Sequence, residues 1–210
     1  MENFKDKNVV ITGASRGIGL GIAKKLASSG ANIAVLAKTD LPHPKLPGTI
    51  HTAVEEIKEF GVKSLAVKTD IRFDDQVESA VDKVVNEFGS IDILINNASA
   101  IGLFNSESLP MKQFDLMHDI NLRGTYLCSK VCLPFLKKSS NPHILNMSPP
   151  ISLNAKWFEN FTAYTMAKYG MSMCVIGMSE EYKKYNVAVN GLWPKTAIDT
   201  AAIRMLGGVV

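Results

Sequence analysis

Three side chains that can move a proton lie close together in the sequence, between residues 144 and 170. Ser148 follows a short apolar run, and Tyr164 and Lys168 stand four positions apart, on one face of a predicted helix. A free tyrosine, with a pKa of about 10, exchanges its proton too reluctantly near neutral pH. A nearby ammonium favours the phenolate, so we predict that Lys168 lowers the pKa of Tyr164. We expect Tyr164 to act as the acid and base, and Ser148 to hydrogen-bond the substrate oxygen.

The same tyrosine–lysine spacing occurs a second time, at Tyr126 and Lys130. Chance produces such pairs readily, since 23 of the 210 residues are Lys or Arg. The context favours Tyr164, because it follows Ser148 and opens the next predicted helix. Ligands of parallel sheets bind at the carboxyl ends of the strands, where both residues would lie. We interpret Tyr126 as ordinary helix packing.

Short apolar runs alternate with longer helical patterns along the whole chain. The runs are apolar throughout, which is typical of strands that are covered on both faces. Such alternation predicts an α/β fold with a doubly wound parallel sheet and helices on both faces, in a single domain over residues 1–210. The predicted strands are 9–12, 32–37, 64–68, 92–96, 143–147 and 187–192, and the predicted helices lie near 17–29, 51–60, 74–88, 110–137 and 162–184.

The first predicted strand runs directly into a glycine-rich loop, TGASRGIG, at residues 12–19. Glycines at this place allow a tight turn and the close approach of a pyrophosphate to the backbone. The free N–H groups at the start of the following helix then receive the negative charge. We therefore predict a dinucleotide site with contacts from Gly13, Ser15, Arg16, Gly17, Ile18 and Gly19.

The spacing TGxxxGxG resembles that of the short-chain dehydrogenase/reductase family, and the resemblance extends along the whole chain. Asp70 follows the third strand, NNAS at 96–99 resembles the family's NNAG, and Asn121 lies in the next helix. Ser148 and the YxxxK of Tyr164 and Lys168 complete the pattern. The resemblance implies a Rossmann-type fold and an oxidoreductase that uses a nicotinamide cofactor.

The resemblance also implies roles for individual residues. The catalytic groups would be Asn121, Ser148, Tyr164 and Lys168, with Asn121 holding a water that links Lys168 to solvent. Tyr164 and Lys168 would also contact the cofactor, Lys168 through the nicotinamide ribose. The family's Pro-Gly after the sixth strand is replaced here by Pro194 and Lys195, so Thr196 is the candidate contact in that segment. Further cofactor contacts implied at the strand ends are Asp70, which would meet the adenine, and Ile71, Asn97 and Ala98.

The position after the second strand predicts which nicotinamide cofactor binds. Members of the family that use NAD usually carry an acidic residue there, whereas this chain has Lys38, and Arg16 lies in the glycine loop. Two cations near the ribose 2′ position favour NADP(H) over NAD(H). Two alternatives stay open: Asp40 lies close by in the sequence, and Lys38 is also explained as a solvated loop lysine.

Composition and charge exclude several classes of protein. A net charge of +3 without a long basic run argues against nucleic-acid binding, and no apolar run is long enough to span a bilayer. Three cysteines without framework spacing and no signal-peptide core indicate a reduced intracellular compartment, the cytoplasm first and a eukaryotic organelle as the alternative. We expect no metal site, and we interpret the proline-rich segment 38–50 as a cover over the adenosine end of the cofactor.

Four stretches resemble a narrower branch of the family, whose animal members carry a sterol-carrier domain after this one. Family members usually continue for several tens of residues beyond position 210, so we expect a C-terminal strand and helix to be missing. The stretches are AKTDLPHPKLPGTI, HILNMSPP, AYTMAKYGMSM and LWPKTAIDTAA.

The resulting hypothesis is an oxidoreductase that transfers a hydride between NADP(H) and a small-molecule carbonyl or secondary alcohol. A lipid-like substrate follows only by analogy with that branch. The alternative, from a different class, is a catalytically silent NADP(H)-binding sensor or scaffold module. The resemblance also implies a homodimer or homotetramer, in which the helices near 110–137 and 162–184 pair with those of another copy.

Overall fold

Six parallel strands form one sheet, in the order β3-β2-β1-β4-β5-β6. The structure is a computed structural model that describes residues 4–44, 46–196 and 198–205. The predicted Rossmann-type doubly wound parallel sheet is confirmed, and each predicted strand agrees with an observed one to within a residue or two. The strands are β1 (Asn8–Thr12), β2 (Asn32–Ala37), β3 (Ser64–Lys68), β4 (Ile93–Asn96), β5 (His143–Asn146) and β6 (Ala188–Gly191).

Helices cover both faces of the sheet. α1 and α2 pack on one face, and α3, α5 and α6 pack on the other. The helices are α1 (Gly17–Ala27), α2 (Ile50–Lys58), α3 (Asp74–Phe88), α4 (Met111–His118), α5 (Thr125–Leu136), α6 (Thr162–Tyr182) and the short α7 (Ala201–Met205).

Successive residues of the central strand enter two different hydrophobic cores. Val9 and Ile11 pack in the core under α1 and α2, whereas Val10 packs in the core under α3, α5 and α6. A strand that is buried on both faces needs apolar side chains at every position, which explains the uninterrupted apolar runs. The strand order reverses between β1 and β4, and a crevice for ligands opens at the carboxyl ends of such a pair.

The helix predicted over 110–137 is not one continuous α-helix. α4 ends at His118, a π-helical segment occupies Asp119–Gly124, and α5 follows directly. The end of this segment is closely packed, because a Cβ added at Gly124 would lie 2.6 Å from Cδ1 of Ile71. Residue patterns do not distinguish π from α turns, so the sequence predicted helix but not its kind.

α6 packs closely against the π-helical segment through a glycine. A Cβ added at Gly170 would lie 2.8 Å from Cδ1 and 3.1 Å from Cβ of Leu122. By contrast, a Cβ at Gly177, two turns further along α6, would meet nothing within 4 Å. The missing side chain at Gly170 therefore allows the close approach of the two helical elements, whereas Gly177 lies on the open face of α6.

We expect Gly170→Ala to destabilise the protein by about 1–3 kcal/mol, because the added methyl group overpacks the contact with Leu122. Gly177→Ala is the matched control and should be more stable than wild type by about 0.5–1 kcal/mol, since alanine is the better helix former. Urea denaturation of the three proteins measures both effects. Equal free energies of unfolding for the two variants would contradict the packing described.

Candidate active site

The glycine loop forms an anion-binding turn at the start of α1. Gly13 and Gly17 have φ angles of +68° and +59°, a backbone conformation that favours glycine. A Cβ at Gly19 would lie 2.4 Å from Nδ2 of Asn97, so this position also requires glycine. Arg16, the N-cap residue, makes no side-chain capping bond, and the first turn of α1 holds no acidic residue. The free N–H groups and positive helix end therefore fit a pyrophosphate.

A pair of reciprocal contacts fixes the end of β4 against this loop. Oγ1 of Thr12 accepts hydrogen bonds from the backbone N–H groups of Asn97 and Ala98, both at 3.1 Å. Nδ2 of Asn97 donates in return to the carbonyl oxygens of Thr12, at 3.0 Å, and Gly13, at 3.1 Å. The structure thus brings the predicted contacts Asn97 and Ala98 beside the glycine loop, whereas sequence reasoning did not predict this role for Thr12, the last residue of β1.

A cleft of about 520 Å³ opens above these contacts. It is long enough to reach from the glycine loop to the ends of β2 and β3. The structure brings eleven of the predicted cofactor residues to its walls: Gly13, Ser15, Arg16, Gly17, Ile18, Gly19, Lys38, Asp70, Ile71, Asn97 and Ala98. Further lining residues that were not predicted as individual cofactor contacts are Thr39, Leu46, Ser99, Ile101 and Thr200.

One end of the cleft carries an acidic and two basic side chains. Nε and Nη2 of Arg72 donate to the two carboxylate oxygens of Asp70, at 2.9 and 2.6 Å. These hydrogen bonds, and more weakly the charge of Lys38, hold the pKa of Asp70 below its usual value. Lys38 itself is exposed at the cleft wall. Asp40, the alternative for this position, pairs with Nε2 of His51 at 2.7 Å and Nζ of Lys68 at 3.1 Å.

The proline-rich segment 38–50 packs onto the glycine loop. Nη2 of Arg16 donates to the carbonyl oxygen of Gly48 at 2.7 Å, and a Cβ at Gly48 would lie 2.6 Å from the carbonyl oxygen of Ser15. Partial burial in this contact lowers the pKa of Arg16. Leu46 lines the cleft from the same segment, whose residue 45 lies outside the described residues. The segment thus closes one side of the cleft.

A second cavity, of about 710 Å³, adjoins the cleft. Ile18, Asn97, Ser99, Ile101 and Thr200 line both spaces, so the two open into each other. The second cavity also contains four predicted site residues: Ser148, Tyr164, Lys168 and Thr196. Much of the remaining wall is apolar and includes Pro149, Pro150, Trp157, Leu192, Trp193 and Ile198.

The connection between Ser148 and Tyr164 is held by side chains of α6. Oγ of Ser172 donates to the carbonyl oxygen of Pro149 at 2.6 Å, and the hydroxyl of Tyr169 donates to the carbonyl oxygen of Ser152 at 3.0 Å. Ser148 itself is buried at the end of β5. The sixteen positions that separate Ser148 from Tyr164 therefore do not keep the two side chains out of one cavity. Tyr126, on α5, is 53% exposed.

Lys168 is directed at the backbone beside Ser148. Its Nζ donates to the carbonyl oxygen of Met147 at 2.6 Å and lies 3.1 Å from Sδ of Met171. Burial lowers the pKa of Lys168 to about 8. Burial also raises the pKa of Tyr164, and a hydrogen bond with the Ser99 side chain opposes that rise. We predicted that Lys168 lowers the pKa of Tyr164, and this prediction is wrong, because the pKa is raised. Desolvation of the phenol dominates, and the ammonium of Lys168 is bonded to the carbonyl oxygen of Met147.

Asn121 lies fully buried in the π-helical segment. Its Oδ1 accepts from the backbone N–H of Ala100, and its Nδ2 donates to the carbonyl oxygen of the same residue, both at 2.9 Å. The side-chain amide of Asn121 therefore binds the backbone of the segment that follows β4. Through Ala100 it holds the wall of the second cavity.

Two classes of site are not found in the part of the chain that the structure describes. Within it, no three His, Cys, Asp or Glu side chains come together in a way that could hold a metal ion. No helix among the described residues has the length and apolar character needed to cross a membrane.

The lowered pKa of Lys168 leads to a pH-dependent stability. An unfolded lysine has a pKa of about 10.4, so above a folded-state pKa of about 8 the unfolded state binds more protons. The free energy of unfolding therefore increases as the pH rises through this window.

Relative to Lys168→Met, the free energy of unfolding of wild type should increase by on the order of 2 kcal/mol between about pH 8 and pH 10. Urea denaturation across this range tests it, with Lys130→Met, an exposed lysine on α5, as control. A pH-independent difference between wild type and Lys168→Met would contradict the pKa.

Comparisons with known proteins agree with this architecture. A family model described as short chain dehydrogenase matches residues 7–206. Hydroxysteroid dehydrogenase-like protein 2 from Danio rerio is 62% identical over 200 residues, which are 95% of this chain and 48% of that protein. The chain thus spans about half the length of this relative. The narrower resemblance carried by the four stretches is confirmed by this identity.

Solved structures share the fold. A short chain dehydrogenase from Mycobacterium thermoresistibile is 51% identical, with a TM-score of 0.93 over 99% of this chain and 74% of that one. A 7α-hydroxysteroid dehydrogenase complexed with NADH and 7-oxo glycochenodeoxycholic acid is 28% identical, with a TM-score of 0.84 over 97% of this chain and 75% of that one. The fold, the glycine-loop cleft and the family match lead to one conclusion: the chain belongs to the short-chain dehydrogenase family.

Proposed function

We propose that the protein transfers a hydride between NADP(H) and a carbonyl or secondary alcohol, with Tyr164 as the acid and base. The observation that carries this proposal is the position of Ser148, Tyr164 and Lys168 in one cavity that opens into the glycine-loop cleft. A bound nicotinamide supplies or accepts the hydride. The chain's own groups then have to bind the substrate, exclude water and move the proton.

In the reductive direction, Tyr164 gives its phenolic proton to the substrate oxygen, on which negative charge develops. Ser148 donates a hydrogen bond to the same oxygen and stabilises that charge. Lys168, with a pKa of about 8, is close to the working pH and can pass a proton onward. The side-chain amide of Asn121 is bonded to Ala100, so we expect the water proposed at Asn121 to bind to its backbone carbonyl oxygen.

The preference for NADP(H) rests on the charges at the end of the cleft. Lys38 is exposed at the wall of the cleft, where its ammonium could pair with a ribose 2′-phosphate. Asp40, the acidic side chain that would oppose this phosphate, has its carboxylate occupied by His51 and Lys68. Arg16 contributes positive charge from a fixed position, because its guanidinium is bonded to Gly48.

The cavity walls favour a bulky apolar substrate. Trp157, Trp193 and Leu192 surround a volume of about 710 Å³, which is large enough for a lipid-like carbonyl compound. The relatives named as hydroxysteroid dehydrogenases fit this expectation. Assembly into a homodimer or homotetramer through α5 and α6 stays a prediction.

Tyr164→Phe should reduce turnover by about 10²–10⁴-fold, because the variant loses the proton donor while it keeps the ring. Following NADPH consumption with a panel of bulky apolar ketones measures this loss, and NADPH binding should be retained. Tyr126→Phe removes the hydroxyl from the second tyrosine–lysine pair and should behave as wild type.

Two results would oppose the mechanism. Wild-type turnover by Tyr164→Phe would exclude the tyrosine as the acid. Binding of NADPH by the wild-type protein without turnover of any member of the panel would favour a sensor or scaffold module instead.

NADPH should raise the thermal midpoint of the protein more than NADH does. A ligand specific for the folded state stabilises by about 2.7 kcal/mol at a hundred times its dissociation constant. Lys38→Ala should weaken NADPH binding by about tenfold, the loss expected for one charge-assisted hydrogen bond, and leave NADH binding unchanged. The control is Lys63→Ala, an exposed lysine before β3. A larger shift with NADH, or equal weakening of both cofactors, would overturn the assignment.

A further inference from the structure

The segment between β5 and α6 carries a tryptophan whose backbone is fixed at both ends of a short turn. Ala155–Trp157 form a single 3₁₀ turn, which the side chain of Asn154 caps by accepting a hydrogen bond from a backbone N–H group. The carbonyl oxygen of Trp157 accepts a hydrogen bond from Oγ1 of Thr165 at 2.6 Å. Thr165 directly follows Tyr164 in α6, so one hydrogen bond ties the backbone of Trp157 to the helical turn that carries the phenol.

The residue after the tryptophan is anchored to α6 as well. The ring of Phe158 packs edge-on against the ring of Tyr169, with 5.5 Å between the ring centroids and an angle of 84° between the planes. Oγ1 of Thr162 donates to the carbonyl oxygen of Phe158 at 3.0 Å. Two successive residues are therefore bonded to one helix, and Trp157 forms a fixed part of the cavity wall.

Trp157 lines the second cavity although it is 54% exposed. Nζ of Lys156 lies 4.9 Å from the centroid of its ring. A large apolar surface left in water is unfavourable, so a ligand that covers the indole is bound more tightly. A side chain whose backbone is already fixed also loses less conformational entropy when that ligand binds. Trp157 thus offers a preorganised apolar contact where the cavity meets solvent.

The polar group proposed to bind the substrate oxygen lies deeper in the same cavity. Ser148 is 3% exposed, in contrast to the half-exposed Trp157. A substrate whose carbonyl oxygen reaches Ser148 therefore has the opposite, outer part of its body beside the indole. A small ketone occupies only a little of the volume of about 710 Å³ and can bind at Ser148 without that contact.

We propose that Trp157 is a specificity-determining residue, which contacts the apolar body of the substrate on the side away from its carbonyl group and selects bulky ring ketones over small ones. The inference rests on the proposed function and adds to it the residue that distinguishes substrates by size. No bond forms or breaks at Trp157, whose contact is present in the bound substrate and in the transition state alike. Loss of such a contact raises KM and leaves kcat nearly unchanged.

The test compares ketones that share one reacting ring and differ in the apolar rings fused to it: cyclohexanone, decalone and androstanone. With NADPH, Trp157→Ala should lower kcat/KM for androstanone by about 10–100-fold, the effect of removing a central aromatic contact, and mainly through KM. Turnover of cyclohexanone should be unchanged, which also shows that the variant is folded. Trp157→Phe keeps an aromatic ring and should retain most of the preference for androstanone.

The control is Leu153→Ala, which removes an apolar side chain from the same segment. Leu153 is 89% exposed and is not among the described residues that line the cavity. Its replacement should leave the selectivity among the three ketones unchanged. An equal loss for cyclohexanone and androstanone in Trp157→Ala would overturn the proposal, as would the same change of selectivity in Leu153→Ala.

A second measurement needs no turnover. The chain has two tryptophans, and both line the cavity, so Trp193→Phe leaves Trp157 as the single indole emitter. With NADP⁺ in place of NADPH the ketone is not reduced, and androstanone should then cause a saturable change in the emission of Trp157. Cyclohexanone should cause little change. Emission that stays constant with androstanone would overturn the proposal.

These measurements separate the specificity of Trp157 from the proposed hydride transfer. Tyr164→Phe loses the proton donor and not the apolar contact, so in the Trp193→Phe background it should show the same change in emission. Emission that responds to androstanone in a protein that reduces no ketone would refute the hydride transfer and support the contact. Wild-type selectivity in Trp157→Ala would overturn the role of the indole and leave the hydride transfer intact.

Discussion

The hydroxyl of Thr12 joins the two strands between which the sheet reverses its order. It lies at the end of β1, one residue before the glycine loop, and accepts hydrogen bonds from the first two residues after β4. Asn97 completes the junction by donating to the backbone on the β1 side. The glycine turn and the β4 connection form opposite walls of the cleft, so their separation is set here. The relative position of the glycine turn and the β4 connection therefore depends on the hydrogen bonds that Thr12 and Asn97 make.

Desolvation has opposite effects on the pKa values of Tyr164 and Lys168. Burial disfavours the charged form of both Tyr164 and Lys168, raising one pKa and lowering the other to about 8. Left alone, this would keep both groups neutral at high pH. Each group also has a partner: Nζ of Lys168 donates to the carbonyl oxygen of Met147, and the Ser99 side chain opposes the rise in the pKa of Tyr164.

The sequence predicted the fold and the residues of the cleft well, because both have strong local patterns. Gly13, Gly17 and Gly19 stand directly after an apolar strand, and a parallel sheet has to bring strand ends together. Contacts between distant segments were not predictable in this way. Nothing near Lys168 in the sequence indicates that its Nζ bonds to the carbonyl oxygen of Met147, because this contact depends on how deeply α6 is buried. The raised pKa of Tyr164 was not predictable for the same reason, since desolvation depends on all the residues that surround the phenol.

The π-helical segment between α4 and α5 has a consequence for how such chains differ in length. A π turn holds one residue more than an α turn, so it is equivalent to a single-residue insertion in a helix. Loss of one residue within Asp119–Gly124 would let α4 and α5 close into one regular helix. The same loss would rotate Asn121 away from Ala100 and release the wall of the cavity. A one-residue gap at this point of an alignment would therefore mark a difference in the wall of the cavity, although it falls in the middle of a helix.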